Sequence, residues 1–456
     1  MKLQSIQVLR GLAAFLVVIY HIRSLEGLGI AAHGGTELPF VGGLFTNGYA
    51  GVDLFFVISG FIMVYVTQGL QPGARASVDF LFARATRIYP VWWFFAGIMT
   101  AYMIVAHGLN AEAGGWAAIS RTEPLIPYLL KSFALVPQPE MPILGVGWTL
   151  VHEMYFYLVF SLILLAPRRW WPGLLLVWGS AVVAGSVAGL SGAFANELPA
   201  LAFYPMTMEF ILGAVVGLVV TSGVAWRPGL VTLGATLWLL ASLCYQGIET
   251  AATLQWGRVV WFGLPCAVLI YGFATLDLVQ RLSWLVPAIL GAICGGAVYQ
   301  LYGLLDTSPD DLRLAGTILA VTVGAITMAI TLWFGWLGGQ AMPDRLLAIA
   351  PWFQRWGRRL ARLGDWSFSL YLCHMLVLSL LRRVFHMLGN NFFIAPVFHL
   401  GNPGRLDNIA FLISGIVLSI VAAALAYRFI ERPCIILFGR LRERLFHRTP
   451  VALQPA

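Results

Sequence analysis

Runs of about 20 apolar residues recur along the whole chain, and they limit its fold more than any other feature. A helix needs roughly 17–25 such residues to cross a bilayer, where every backbone polar group must be satisfied internally. Hydrophobic residues make up 59% of the 456 residues and charged residues 11%, against about 25% in ordinary soluble domains. These proportions predict a multi-pass membrane protein.

The apolar runs predict an all-α polytopic membrane helix bundle of about twelve spans. The runs lie near residues 3–22, 50–68, 88–106, 147–166, 173–190, 200–220, 229–245, 258–276, 284–303, 313–336, 366–388 and 408–430. Arginines gather in the even-numbered loops and in a basic tail at 439–456, whereas most loop acids fall on the other side. The positive-inside rule therefore predicts that both termini, and this tail, are cytoplasmic.

The same rule accounts for the net charge of +8, so basicity does not indicate a nucleic-acid partner. The five cysteines are scattered, and they show neither metal-ligand spacing nor a disulfide pattern. We therefore expect no bound metal.

The segment RGLAAFLVVIYH has Arg10 at one end of an apolar run and His21 at the other. Eleven helical steps separate them by ~16 Å and place them on nearly one face, with His21 towards the outer side. Ionisable groups inside a span mark candidate functional sites, and histidine can act as a general base near neutral pH. The alternative is an interfacial histidine and an arginine that snorkels to the headgroups.

Later spans contain three acids. Asp53, in GVDLFFVISGFIMVY, could orient an imidazole; alternatively it caps a helix whose Gly51 and Gly60 allow close packing. Glu153, in GWTLVHEMYFYL, could pair with an arginine, take part in proton transfer, or bond to a Trp or Tyr. Glu209 lies near the middle of the sixth span.

Two further motifs carry basic or polar groups. In RATRIYP, Arg84 and Arg87 are three residues apart, so they share a helix face and suit phosphate oxygens. The alternative is positive-inside anchoring. In LGDWSFSLYLCH, Tyr371 and His374 belong to a polar helix face and are candidate site residues.

Taken in order, these motifs resemble those of the acyltransferase-3 family of integral membrane acyltransferases. RGLAAFLVVIYH is similar to its Arg–ten residues–His motif, GVDLFFVISGFIM to its second-span motif, RATRIYP to its Arg-x-x-Arg motif and GWTLVHEMYFY to its fourth-span motif. LGDWSFSLYLCH is similar to a late motif, with Phe368 where the family usually has Tyr, and RFIERP to the end of its final span. The glycan O-acetylating branch is the most similar. Because the family usually has ten core spans, we expect an acyltransferase domain over 1–438 with a two-span insertion at 284–338.

The resemblance implies a plasma (inner) membrane enzyme that moves an acyl group, usually acetyl, from acyl-CoA to a hydroxyl of a cell-surface or exported glycan. His21 would be the base or a transient acyl carrier. The implied catalytic set is His21, Asp53, Glu153 and Arg10. The implied acyl-CoA-binding set is Arg84, Arg87, Tyr371 and His374. A proton-coupled transporter or flippase, and a non-catalytic scaffold, are the alternatives.

Overall fold

The computed structural model describes residues 3–32, 34, 47–108, 123–192, 198–244, 256–279, 291, 295–296, 321–327, 350–391, 393–400 and 405–446. The regular structure of these residues is helical, and none of them lies in a strand. The principal helices are α1 (Gln4–Ala32), α2 (Gly51–Val66), α3 (Ala74–His107), α4 (Leu125–Ala134), α5 (Trp148–Ile163), α6 (Trp171–Val187), α7 (Leu198–Ala202), α8 (Thr207–Thr221), α9 (Pro228–Cys244), α10 (Trp256–Arg258), α11 (Leu264–Val279), α12 (Ala350–Gly389), α13 (Ala395–Phe398), α14 (Arg405–Ala426) and α15 (Arg432–Phe446).

Within these described ranges, nine helical segments are long and apolar enough to span a membrane. The all-α polytopic bundle is therefore confirmed. The nine segments and the shorter apolar helix Pro228–Leu243 coincide with ten of the predicted spans. The other two, at 284–303 and 313–336, lie almost wholly outside the described residues, so the insertion stays a prediction, as does the orientation of the termini.

Two helices extend further than their apolar runs. α1 continues to Ala32, because Arg23 Nη1 donates to Glu26 Oε2 at 2.6 Å and the two buried charges compensate each other one turn apart. α3 begins at Ala74 rather than near residue 88, so RATRIYP lies inside the helix. Pro90 removes one backbone donor there without ending the helix.

The chain divides into two compact units. The first consists of Met1–Tyr65, Met208–Phe368 and Val377–Ser419. The second consists of Val66–Thr207, Ser369–Leu376 and Ile420–Ala456.

Glycines bring the helices of the first unit into backbone contact. A Cβ added to Gly51 would lie 2.2 Å from the carbonyl oxygen of Ala13 on α1. A Cβ added to Gly60 would lie 2.0 Å from that of Phe210 on α8. The prediction that Gly51 and Gly60 allow close helix packing is confirmed, and this packing fixes α2 between α1 and α8.

Gly60→Ala is expected to destabilise the protein by about 1–3 kcal/mol, because the methyl group must separate α2 from α8. The measurement is thermal or denaturant unfolding in detergent micelles. Gly97→Ala in α3 is the control, since a Cβ there meets no atom within 4 Å. Equal stability of the two variants would contradict close packing at Gly60.

The second unit is held by polar contacts between helices. Asp79 on α3 accepts two hydrogen bonds from Arg442 on α15, at 2.6 and 2.8 Å. The last carbonyl groups of α4 accept hydrogen bonds from side chains of α3: Trp92 donates to Ser132 at 3.1 Å and Trp93 to Phe133 at 3.0 Å. The two tryptophan bonds satisfy carbonyl groups that the end of a helix leaves without a partner.

Candidate active site

His21 is half-buried on α1, and its ring is bonded to the backbone of its own helix. Nδ1 lies 2.9 Å from the carbonyl oxygen of Val17, one turn earlier. Because a carbonyl oxygen can only accept, Nδ1 carries the hydrogen and Nε2 carries the lone pair in neutral imidazole. This is the tautomer of a general base or nucleophile acting through Nε2.

Arg10 lies on the same helix as His21, as the spacing predicted, and is half-buried. Both residues belong to the first unit. This part of α1 is in backbone contact with α12, where a Cβ on Gly364 would lie 1.9 Å from the carbonyl oxygen of Gln7. The glycine of the late LGD motif therefore packs against the helix that carries Arg10 and His21.

Asp53 forms a buried ion pair that the sequence did not indicate. Both of its oxygens accept from Arg258, Oδ1 from Nε at 2.7 Å and Oδ2 from Nη2 at 2.8 Å. The side chain of Asp53 is 0% exposed and that of Arg258 is 7% exposed. The Asp53 carboxylate therefore orients the guanidinium of Arg258, and the His21 ring is bonded to Val17; a role of Asp53 in orienting His21 stays a prediction.

Two more residues, Tyr49 and Glu209, interact with this ion pair. Tyr49 offers its carbonyl oxygen to Arg258 Nη2 at 3.2 Å and its ring face to the guanidinium, at 4.8 Å from Cζ to the ring centroid. Glu209 is fully buried and interacts electrostatically with Asp53 and Arg258. Arg258 is followed directly by a π-helical turn, Val259–Gly263, a distortion that often marks functional positions. The cluster thus gathers two carboxyl groups and one guanidinium within apolar helices.

Arg84 and Arg87 lie on α3 in the second unit, three residues apart on one helix as predicted. The guanidinium of Arg84 lies over the rings of Phe80 and Tyr157, at 5.4 and 5.7 Å from their centroids. Tyr157 donates its hydroxyl hydrogen to Glu153 on α5. Glu153 thus bonds to a tyrosine, one of the alternatives open from the sequence, and the Glu153–Tyr157 pair faces the first arginine of the motif.

Tyr371 and His374 belong to the segment of α12 in the second unit, and both are buried. The Tyr371 hydroxyl lies 2.8 Å from Thr149 Oγ1 and donates to the carbonyl oxygen of Val146 at 3.1 Å. His374 Nδ1 lies 3.1 Å from the Leu370 carbonyl oxygen, the same local bond that His21 makes. Tyr371 thereby supports the start of α5.

The structure therefore brings the predicted residues together as two sets. His21, Arg10 and Asp53 belong to the first unit, and Arg84, Arg87, Glu153, Tyr371 and His374 to the second. Arg258 is the functional candidate that sequence reasoning missed. One signal was available: it adjoins a loop placed on the outer side, where arginines are scarce.

Among the described residues, no group of three or more His, Cys, Asp or Glu side chains could hold a metal ion. A reaction without a bound metal stays a prediction.

The helices of membrane-spanning length carry a buried ion pair and a half-buried histidine bonded to its own backbone. They define a polytopic integral membrane protein with ionisable groups in its apolar helices. The profile of the acyltransferase-3 family, described as an acyltransferase domain, matches residues 3–336, more than half of the chain. The chain belongs to this family. The match includes all the motifs from Arg10 to Glu153 and ends before the LGD motif.

Individual relatives agree with this assignment. Exopolysaccharide production protein ExoZ of Rhizobium meliloti (strain 1021) is 36% identical over 181 residues, 38% of this chain and 51% of that protein. Acyltransferase MdmB of Streptomyces mycarofaciens is 24% identical over 477 residues, 100% of this chain and 95% of that protein. The aligned part thus spans about half of ExoZ and nearly all of MdmB. No solved structure matches the chain.

Proposed function

We propose that this protein is an O-acyltransferase of the plasma (inner) membrane that transfers an acyl group, acetyl in the first instance, from acyl-CoA to a hydroxyl of an exported or cell-surface glycan. The observation that carries the proposal is His21, whose Nδ1–H is bonded to Val17 in a chain of the acyltransferase-3 family. The printed name of ExoZ, an exopolysaccharide production protein, supports a glycan as the acceptor.

Two arginines suit the phosphates of the donor. Arg84 and Arg87 carry two guanidinium groups on one side of α3, and such groups bind phosphate oxygens in a bidentate manner. The rings of Phe80 and Tyr157 limit the directions in which Arg84 can point. Tyr371 and His374, which belong to the same unit, complete the proposed acyl-CoA-binding set.

His21 would act through Nε2. This nitrogen accepts the proton of the acceptor hydroxyl as the hydroxyl oxygen forms a bond to the thioester carbonyl carbon. When the carbon–sulfur bond breaks, the proton passes from His21 to the departing thiolate, so the reaction consumes and releases no net proton. Arg10 and Glu153 would stabilise charge that develops during the transfer. A transient acyl group on Nε2 is the alternative route, and the same tautomer serves it.

The function is tested by mass spectrometry of surface glycans and lipid-linked saccharides from cells with and without the protein. We expect a mass difference of one acyl group, restored by the wild-type chain. The mass identifies the acyl group, and fragmentation identifies the sugar. Identical glycans, together with proton-dependent uptake of saccharide into vesicles without acyl-CoA, would favour a transporter and reject the proposal.

Arg87→Lys is expected to raise the KM for acetyl-CoA about tenfold, because lysine keeps the charge but loses one charge-assisted hydrogen bond of about 1.5 kcal/mol. The measurement is the initial rate of acetyl transfer in membrane vesicles over a range of acetyl-CoA concentrations. Arg169→Lys is the control, an exposed arginine near the start of α6. A scaffold, or mere anchoring by positive charge, predicts that both variants behave like wild type.

A further inference from the structure

A row of side-chain contacts in the first unit connects the buried ion pair to His21. The Arg258 guanidinium lies over the ring of Tyr49. Tyr49 packs edge-on against Tyr20, with ring centroids 5.5 Å apart and an interplanar angle of 78°. Tyr20 packs edge-on against His21 at 5.1 Å and 75°. The two ring–ring contacts have the edge-to-face geometry that aromatic pairs prefer.

The Arg258 end of this row is rigid. Asp53 holds the guanidinium with two hydrogen bonds, and the guanidinium in turn donates to the Tyr49 carbonyl oxygen. Tyr49 lies in a 3-10 turn, Gly48–Ala50, directly before α2. A Cβ on Gly48 would lie 2.5 Å from the carbonyl oxygen of Leu16, so this turn is in backbone contact with α1.

The hydrogen bond to Val17 and the ring contact with Tyr20 restrict different motions of the His21 ring. The bond from Nδ1 to the Val17 carbonyl fixes which ring edge faces the helix. The edge contact with Tyr20 limits sideways movement of the ring. Tyr20 in turn packs against Tyr49, so contacts run without a break from Arg258 through two rings to the His21 ring.

We propose that Arg258 is a positioning residue for His21 and acts through the rings of Tyr49 and Tyr20. This inference rests on the proposed function only in taking His21 as the catalytic base. Asp53 then serves the reaction by holding Arg258, which gives the second-span motif a role other than a direct bond to the imidazole.

The test removes the ring of Tyr49 or Tyr20 and leaves the Asp53–Arg258 ion pair intact. Tyr49→Leu and Tyr20→Leu remove one ring each, whereas Tyr49→Phe and Tyr20→Phe keep the ring and lose only a hydroxyl group. Tyr65→Leu is the matched control, because it removes an aromatic pair, Phe61 and Tyr65 at 5.6 Å, elsewhere on α2. Each purified protein is checked for a single size-exclusion peak before use.

Two measurements are made on each variant. The first is kcat and KM for acetyl-CoA in membrane vesicles. The second is the rate at which diethyl pyrocarbonate modifies His21 in the purified protein, followed by mass spectrometry of the His21 peptide. The second measurement needs no acceptor and no acyl transfer, so it tests the positioning of His21 even if the proposed function is wrong.

We expect both Leu variants to lower kcat by about 10- to 100-fold with KM nearly unchanged, because a catalytic group misplaced by about 1 Å can cost about 100-fold in rate. We also expect the His21 modification rate to change several-fold in these variants. The Phe variants should recover most of both losses, and Tyr65→Leu should match wild type. Leu variants with wild-type kcat and a wild-type modification rate would overturn the proposal, as would equal losses in the Leu and Phe variants.

Discussion

Replacement of His21 by Ala is expected to lower the rate of acyl transfer by about 100- to 10,000-fold, the usual contribution of a general base. Alanine keeps α1 helical and removes the group proposed to accept the hydroxyl proton. The KM for acetyl-CoA should change little, because the residues proposed to bind phosphate are Arg84 and Arg87. The measurement is acetyl incorporation into glycan from labelled acetyl-CoA, in vesicles with equal amounts of each protein.

His386→Ala is the matched control, since His386 is exposed near the end of α12 and has no proposed role. It should retain wild-type activity. His21→Gln should also lose activity by either route, because an amide can neither accept the proton effectively nor carry an acyl group. Trapping of an acylated His21 peptide in the wild type would then select the covalent one. Full acyl transfer by His21→Ala would reject His21 as the catalytic residue by either route.

The sequence predicted those parts of the fold that depend on one segment at a time. Span positions follow from local hydropathy, and ten of the predicted runs coincide with apolar helices. The shared helix of Arg84 and Arg87 follows from their spacing. The close packing of Gly60 followed from the tendency of small residues to lie at helix interfaces in membranes, although its partner helix was not identified.

Helix ends were less predictable, because side chains distant from the apolar run decide them. In the sequence, a charged residue such as Arg23 after an apolar run predicts the end of a membrane-spanning segment. The buried bond between Arg23 and Glu26 compensates both charges, and α1 therefore continues past them. The apolar run of α3 likewise does not include the polar turns near Asp79. These turns are nevertheless helical, because Arg442 of α15 pairs with that aspartate.

The pairing of Asp53 was not predictable, since 205 residues separate it from Arg258. Nothing local to GVDLFFVISG specifies a guanidinium, and an imidazole was the plausible partner on the neighbouring helix. The same limit applies to Glu209, whose proximity to the pair depends on the packing of α8 against α2. Motifs identified candidate residues, while the partners of those residues required the three-dimensional structure.

Breaking the Asp53–Arg258 pair from one side is expected to destabilise the protein by about 3–5 kcal/mol, because it leaves one charge buried without its partner. Arg258→Met should cost more than Asp53→Asn, since it leaves the carboxyl groups of Asp53 and Glu209 together without a cation. The double variant Asp53→Asn/Arg258→Met should be less destabilised than the sum of the single variants, because no buried charge of the pair remains. The measurement is the free energy of unfolding in mixed micelles, as a double-mutant cycle.

The pair formed by Asp79 and Arg442 provides the matched comparison within the same protein. It has the same bidentate geometry, but the arginine side chain is 37% exposed, so water already screens the pair and solvates the guanidinium that remains when Asp79 is removed. The corresponding cycle, Asp79→Asn with Arg442→Met, should therefore give a much smaller coupling energy. Equal coupling energies in the two cycles would contradict the burial of the Asp53–Arg258 pair. Additive losses in the first cycle would show that the two residues stabilise the protein independently, and Asp53 would then have no part in holding the guanidinium that supports Tyr49.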